Sequence, residues 1–436
     1  MKIVRVEPFN TGVILEFDRF ISSDCCIKEL GNSPFRVVNY SMINDHTVKI
    51  DNLLKGTDYS VYFNTVSERS NNRFFRCDDY RHKVINYIHP DDMTYHPSGM
   101  CPASPCILKL ENGRILVSHD IFYQNMAQNI TLIFYSDDNG ITFSYLSTVT
   151  PCFWGKMFSH KGILYLMGHN GEYGDLLLYK STDQGMSFLP SIVILKGGNK
   201  LTGGPHKAPM PIISFNHRLW TGIDFGSWNT GGHASGVVSV DEEADFYDPV
   251  NWIVSEFLPY SSQWPGVVKG KQFGLLEGNV VAKKDGTLVN FLRYGTGPDY
   301  DDYGKAIYLN VDKDHPEKQL TFGKVVSFNG NNSKFSIKYD HKTESYFTIV
   351  NRADREDTNK RNRLILMSSK DLDRWTDVKV LLDYSNWHED YKKVGFQYVD
   401  FIFDDDKIRF VSRTAINGAL NFHDSNCITY HETDYN

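Results

Sequence analysis

The sequence predicts an all-β protein, a β-propeller with six blades counted, preceded by an N-terminal β-sandwich. Three observations predict it. Strand-like apolar runs follow one another with almost no helical periodicity between them. A short polar turn between two apolar strands recurs six times from position 112 to position 405, once in about 59 residues, the spacing of a blade. Two copies of the pattern S-x-D-x-G-x-[ST]-F begin at Ser136 and Ser181, each just after an apolar strand.

Residues 1–78 read as the sandwich. The runs KIVRVEPF, GVILEFD, FRVVNY, HTVKIDNL and YSVYFNTV alternate with polar turns. The segment Leu54-Lys55-Gly56-Thr57-Asp58-Tyr59-Ser60-Val61 resembles the L-x-x-G-T-x-Y-x-V of fibronectin type III modules, which implies a tyrosine-corner hydrogen bond from Tyr59. Residues 79–96 are polar and read as a linker. Their strand-like core, Lys83–Ile88, is available to the next domain.

The propeller is read over residues 97–436. The recurring turns are Glu111-Asn112-Gly113, His160-Lys161-Gly162, Asn216-His217-Arg218, Lys284-Asp285-Gly286, His341-Lys342-Thr343 and Asp404-Asp405-Asp406. Each is followed by a strand and then a further one, such as ITLIFYS, DLLLYKS or RLILMSS, so four short strands fill each repeat. In Ser136-x-Asp138-x-Gly140-x-Thr142-Phe143 and Ser181-x-Asp183-x-Gly185-x-Ser187-Phe188, the carboxylate and hydroxyls are suited to bond the backbone of a tight turn. The Gly supplies positive φ and the ring staples the turn to its blade. A weaker copy, Ser369-x-Asp371…Trp375, lacks the Gly and is one residue short. These turns are structural and lie on the face opposite a propeller's usual active site.

Composition narrows the function. Lys and Arg number 46 against 53 Asp and Glu, a formal charge of −7, with no basic block, which argues against nucleic acid as a partner. No apolar run approaches the roughly 20 residues of a membrane helix. The start MKIVRVEPFN lacks a signal core. The expectation is therefore a cytoplasmic chain as given, or a secreted or periplasmic one if a leader was trimmed. Seven cysteines without a zinc-type spacing read as free thiols. No metal and no cofactor is expected, and the chain is expected to be a monomer or homodimer.

With the recurring turns at the bottom, strand ends on the opposite face converge on the axis at the top. The residues there include Ser118-His119-Asp120, Glu172-Tyr173, His206-Lys207, Asp224, Glu277, Arg293, Lys334, Asn351-Arg352, Gln397-Tyr398, Arg413 and His423-Asp424. Any one of them is as readily a satisfied buried polar group, but His, Arg, Tyr and Glu gathered on one face point to a site. Several cations at one mouth suit an anionic ligand, and nearby Trp154, Trp228, Trp264 and Tyr398 suit sugar rings. The expected partner is an acidic oligosaccharide or polysaccharide.

The repeated S-x-D-x-G-x-[ST]-F turns resemble the Asp-boxes of the sialidase superfamily. Its enzymes use an arginine triad, a Tyr–Glu nucleophile pair and an Asp acid, with the first Arg in an F-R-I-P motif. The matching stretch here, Cys101–Ile107, has no Arg. The tracts SPCILKLENGRILVSHDIF, HKAPMPII, LLEGNVVAKKDGTLVNFLR, KFSIKYD, GFQYVDFIFDDDKIRFVSRTA and NFHDSN resemble a sialidase-like, BNR-repeat group over nearly all of 97–436. Part of that group comprises lyases that split L-rhamnose from α-1,4-linked D-glucuronate. They are seven-bladed, so the resemblance leaves seven blades open against the six counted.

The resemblance implies β-elimination at a uronate. The chemistry needs a base for the C5 proton, an acid for the leaving O4, and cations on the carboxylate. The catalytic candidates are His119 for proton transfer, assisted by His206 or Tyr173. Arg293 and Arg413 are assigned to the carboxylate, with Glu277, Gln397, Arg352 and Lys334 as further substrate-binding residues. His423-Asp424 could hold a metal, but buried hydrogen bonding is the expectation. Two alternatives stay open: an exo-glycoside hydrolase using Glu277 with Asp120 or Asp224, and a non-catalytic carbohydrate-binding propeller.

Overall fold

The computed structural model describes all residues except 32, 268–274, 295–303, 331–332, 353–359 and 436. The N-terminal strands are β1 (Ile3–Phe9), β2 (Gly12–Phe17), β3 (Asp24–Glu29), β4 (Arg36–Val38), β5 (Ser41–Asn44), β6 (Thr47–Ile50), β7 (Thr57–Asn64) and β8 (Arg73–Cys77). They form two antiparallel sheets, β1-β2-β6-β5 and β4-β3-β7-β8, an immunoglobulin-type sandwich order. Alternation in the sequence buries Val6, Leu15, Ile27, Val48, Val61 and Phe63 between them. Tyr59 is fully buried near the start of β7, and its hydroxyl accepts the Leu54 amide at 2.9 Å.

The sandwich is fused to the propeller. Arg5 Nε donates to the Ile85 carbonyl at 2.7 Å, the Glu16 carboxylate accepts the Tyr145 amide at 3.0 Å, and Arg73 pairs with Asp92 at 2.6 Å with both side chains fully buried. One apolar core runs from the sandwich into residues such as Phe347, Leu364, Phe396 and Phe410 of the propeller.

Six further sheets form the propeller, over residues 101–149, 153–195, 204–254, 275–327, 337–383 and 395–434, here blades 1 to 6. Each predicted turn is the hairpin between a blade's innermost strand and its second strand, so six blades stand among the described residues. The last blade takes its outer strand from the start of the propeller: β9 (Lys83–Tyr87) pairs antiparallel with Cys427–Asp434. Residues 83–87 are thus part of the propeller and not of a free linker, because an outer edge left unpaired would expose a row of backbone donors and acceptors.

The two S-x-D-x-G turns have the same geometry. The serine hydroxyl donates to the aspartate at 2.8 Å in both, and the glycine amide donates back to that hydroxyl at 2.8 and 2.9 Å. The Thr142 and Ser187 amides each donate to the carboxylate at 2.9 Å. In the third copy Leu372 takes a positive φ of 67° in place of glycine. The seven cysteines are free thiols, and among the described residues no helix is long and apolar enough to cross a membrane.

Candidate active site

The inner strands of blades 1, 2, 4 and 6 share one irregularity. Their pairing slips between Ala103 and Cys106, Phe153 and Lys156, Leu276 and Asn279, and Gln397 and Asp400. Each slip contains a non-glycine residue at positive φ: Ser104 at 42°, Trp154 at 55°, Glu277 at 60° and Tyr398 at 55°. A bulge re-aims a side chain, and such a backbone costs about 1–3 kcal/mol per residue, held only where surrounding structure enforces it. All four side chains line one cavity of about 720 Å3. In blade 3 the inner strand is broken between Gly204–His206 and Ile213–Phe215, which brings His206 to the same cavity.

Second strands and the loops beyond them complete the lining. Arg293 comes from Leu288–Tyr294 and Arg413 from Lys407–Ala415, while Arg361 lies two residues before Arg363–Ser369. Glu172 and Tyr173 come from blade 2, Trp228 from blade 3, and His423 and Asp424 from blade 6. Among the described residues three guanidinium groups thus share the cavity. Arg293 pairs with Glu277 at 3.1 Å. Arg413 donates to the His423 carbonyl and lies over the rings of Phe122 and Tyr398 at 5.2 and 5.3 Å. Tyr398 sits beside Glu277; burial and that carboxylate push its hydroxyl far above the usual range.

Asp224 ties two parts of the site together. Its carboxylate accepts the Glu277 amide at 2.8 Å, bracing the bulge, and lies 3.6 Å from His206 Nδ1. Burial raises Asp224 to about 6 and lowers His206 to about 4. His206 is therefore a neutral imidazole near pH 7, packed against Trp154 at 4.4 Å, His233 at 4.8 Å and Tyr173 at 5.8 Å.

Of the sequence-derived candidates, Tyr173, His206, Glu277, Arg293, Gln397 and Arg413 line the cavity, and three do not. His119 is fully buried, stacked on Phe134 at 5.5 Å, with Nδ1 3.0 Å from the Asp120 carbonyl and Nε2 3.1 Å from the Asn86 amide nitrogen. The alternation of its strand turns His119 away from the cavity, and it is not among the residues that line it. Arg352 pairs outward with Asp377 at 3.0 Å, and Arg361 stands in the cavity instead. Lys334 is buried below the floor, donating to Ser336 Oγ at 2.8 Å and the Val399 carbonyl at 3.0 Å. Asp120 and Asp224 are also buried and bonded and do not line the cavity; among the described residues the carboxylates lining it beside Glu277 are Glu172 and Asp424. Sequence reading had no signal for Arg361, which lies outside any strand, or for the role of the bulges.

Beneath the floor, Asp400 is fully buried. Its Oδ2 accepts Lys156 at 2.6 Å and its Oδ1 lies 3.2 Å from Lys338. Burial opposes its ionisation, but Lys156, Lys338 and Lys334 outweigh it and hold the carboxyl well below the usual range. Among the described residues no group of three or more His, Cys, Asp or Glu could hold a metal ion.

The chain matches no protein-family model and no curated protein. Among solved structures it is similar to a Hadza microbial sialidase, Hz136, at 12% identity and TM-score 0.54, over 98% of this chain and 93% of that one. It is similar to a Penicillium chrysogenum α-L-arabinanase complexed with arabinobiose at 14% identity and TM-score 0.52, over 81% and 98%. A third likeness is to the intramolecular trans-sialidase of Ruminococcus gnavus, at 11% identity and TM-score 0.50, over 81% and 97%. These likenesses show the fold, a sialidase-like β-propeller.

Proposed function

We propose that the cavity binds the acidic end of a glycan and cleaves it by β-elimination, releasing a terminal sugar from a uronate. The observation that carries this reading is the meeting of Arg293, Arg361 and Arg413 with a neutral His206 and with Tyr173 in one cavity. Guanidinium groups neutralise the uronate carboxylate and stabilise the enolate-like charge that develops on it. His206, with the Asp224 carboxylate 3.6 Å from Nδ1 to stabilise the imidazolium that forms, takes the C5 proton at Nε2. The C4–O4 bond breaks as the C4–C5 double bond forms, and the Tyr173 hydroxyl supplies the proton to O4. Trp154 and Trp228 flank the sugar rings. Carbohydrate ligands and substrates in the names of structurally similar propellers, arabinobiose among them, agree with a glycan in this cavity.

A second reading, hydrolysis, is favoured by the bulge-mounted Tyr398 and Glu277 beside the arginines, an arrangement suited to a tyrosine nucleophile activated by a carboxylate. One experiment separates the two. The protein is incubated with rhamnose-capped arabinogalactan and with sialyl-lactose, and products are followed by ultraviolet absorbance and mass spectrometry. Elimination gives an absorbing unsaturated uronate lighter by one water than the hydrolytic product, and His206→Gln abolishes it. A saturated uronate left behind after release of the terminal sugar, with no new absorbance, or release of sialic acid from sialyl-lactose would replace the first reading with the second. Binding without product would refute both.

A further inference from the structure

The propeller carries a second large cavity, at the opposite end of its axis. It encloses about 950 Å3 and takes residues from all six blades. Its walls are apolar: Ile107, Met157 and Ile337 are buried around it, and Ile213, Phe215 and Phe403 are half-buried. Its lysines outnumber its carboxylates: Lys156, Lys283, Lys284 and Lys338 line it and, among the described residues, Glu344 is the one lining carboxylate, with Asp285 pairing Lys283 at 3.4 Å at the rim. Lys284 and Glu344 lie at the open end, 3.8 Å apart, with side chains 43% and 75% exposed. Lys156 and Lys338 lie deepest, their side chains 6% and 22% exposed.

Those two ammonium groups share one carboxylate, Asp400, at 2.6 and 3.2 Å. Lys156 is buried and Lys338 half-buried, the latter also donating to the Phe401 carbonyl; two cations on one anion leave net positive charge beside an apolar chamber, and a charge removed from water is tolerated only when it is compensated. An uncharged lipid or sugar would leave that charge uncompensated, and a small inorganic anion would leave the walls wet. An apolar tail ending in one carboxylate satisfies both.

We propose that this lower cavity is a ligand site for a medium-chain alkyl carboxylate, its tail along the Ile213, Phe215 and Phe403 wall and its head toward Lys156 and Lys338. The Asp400–lysine layer separates it from the upper cavity, so the inference does not depend on the reaction assigned above.

The test is calorimetric titration of the full chain with sodium octanoate, in parallel with octanol and acetate, and thermal unfolding in the same series. Octanoate is expected to bind once per chain and raise the melting temperature, with octanol and acetate at least about fivefold weaker. Lys284→Glu, at a side chain 43% exposed, weakens octanoate about fivefold or more without changing activity at the upper cavity. Lys338→Met weakens it further. No octanoate binding, many sites per chain, octanol bound as tightly as octanoate, or unchanged affinity in Lys284→Glu would each overturn the proposal.

Discussion

Replacing Asp224 by Asn separates what the site needs from what the fold tolerates. The substitution keeps the shape. The Asn oxygen can still accept the Glu277 amide, now 2.8 Å from the carboxylate, and its NH2 can face Ser235 Oγ, now 3.3 Å away. What disappears is the ionisation. Burial raises Asp224 from 3.8 to about 6, so below 3.8 both folded and unfolded chains carry the proton. Between 3.8 and about 6 the unfolded chain releases it first, and stability falls as pH rises. Above that window the loss is complete and amounts to roughly 3 kcal/mol. Asp224→Asn removes this loss, so at pH 8 the variant is expected to be more stable by up to roughly 3 kcal/mol, and at pH 4 nearly unchanged. Activity moves the other way. Without the carboxylate 3.6 Å from Nδ1, the imidazolium formed on His206 loses its counter-charge, and kcat/KM falls by about 10- to 100-fold. Urea unfolding at both pH values, with product formation on the same preparations, measures both effects. A variant less stable at pH 8, or one with unimpaired turnover, would refute the linkage drawn between Asp224, His206 and Glu277.

Two more outcomes are expected from the geometry. Arg361→Met is expected to reduce kcat/KM by about 100-fold or more by removing a charge from the cavity, whereas Arg352→Met, which breaks only a surface pair, stays within about threefold; steady-state kinetics of both checks the assignment. Gly140→Ala puts a Cβ 2.5 Å from the Tyr430 hydroxyl at a backbone φ of 85°, and denaturant unfolding is expected to show a loss of about 2–4 kcal/mol while the folded fraction keeps its specific activity.

The polar turns marked the blades because each must reverse the chain between two buried strands, a local requirement. The S-x-D-x-G turns were legible for the same reason, since Ser136, Asp138, Gly140 and Thr142 satisfy one another within seven residues. The site was legible only by face. Glu277, His206, Arg293 and Arg413 were found because they stand at strand ends on the right side of the repeat. His119 was misplaced by parity: neighbours on a strand point to opposite faces, and a one-residue difference separates a core imidazole from a cavity one. Arg361 reaches the cavity from outside any strand, where no periodicity marks it.

The sequence by itself determined an all-β chain, the spacing of six blades, the sandwich in front and the residue types available at the axis. These rest on periodicity and turn chemistry, which act over a few residues. Only the tertiary structure decided that β9 closes the ring, that Ser104, Trp154, Glu277 and Tyr398 are turned inward by bulges at one level, and that Asp400 gathers lysines between two cavities. The physical reason is closure. Bringing six inner strands together around one axis sets which backbones are strained and which charges meet, and no segment carries that information alone.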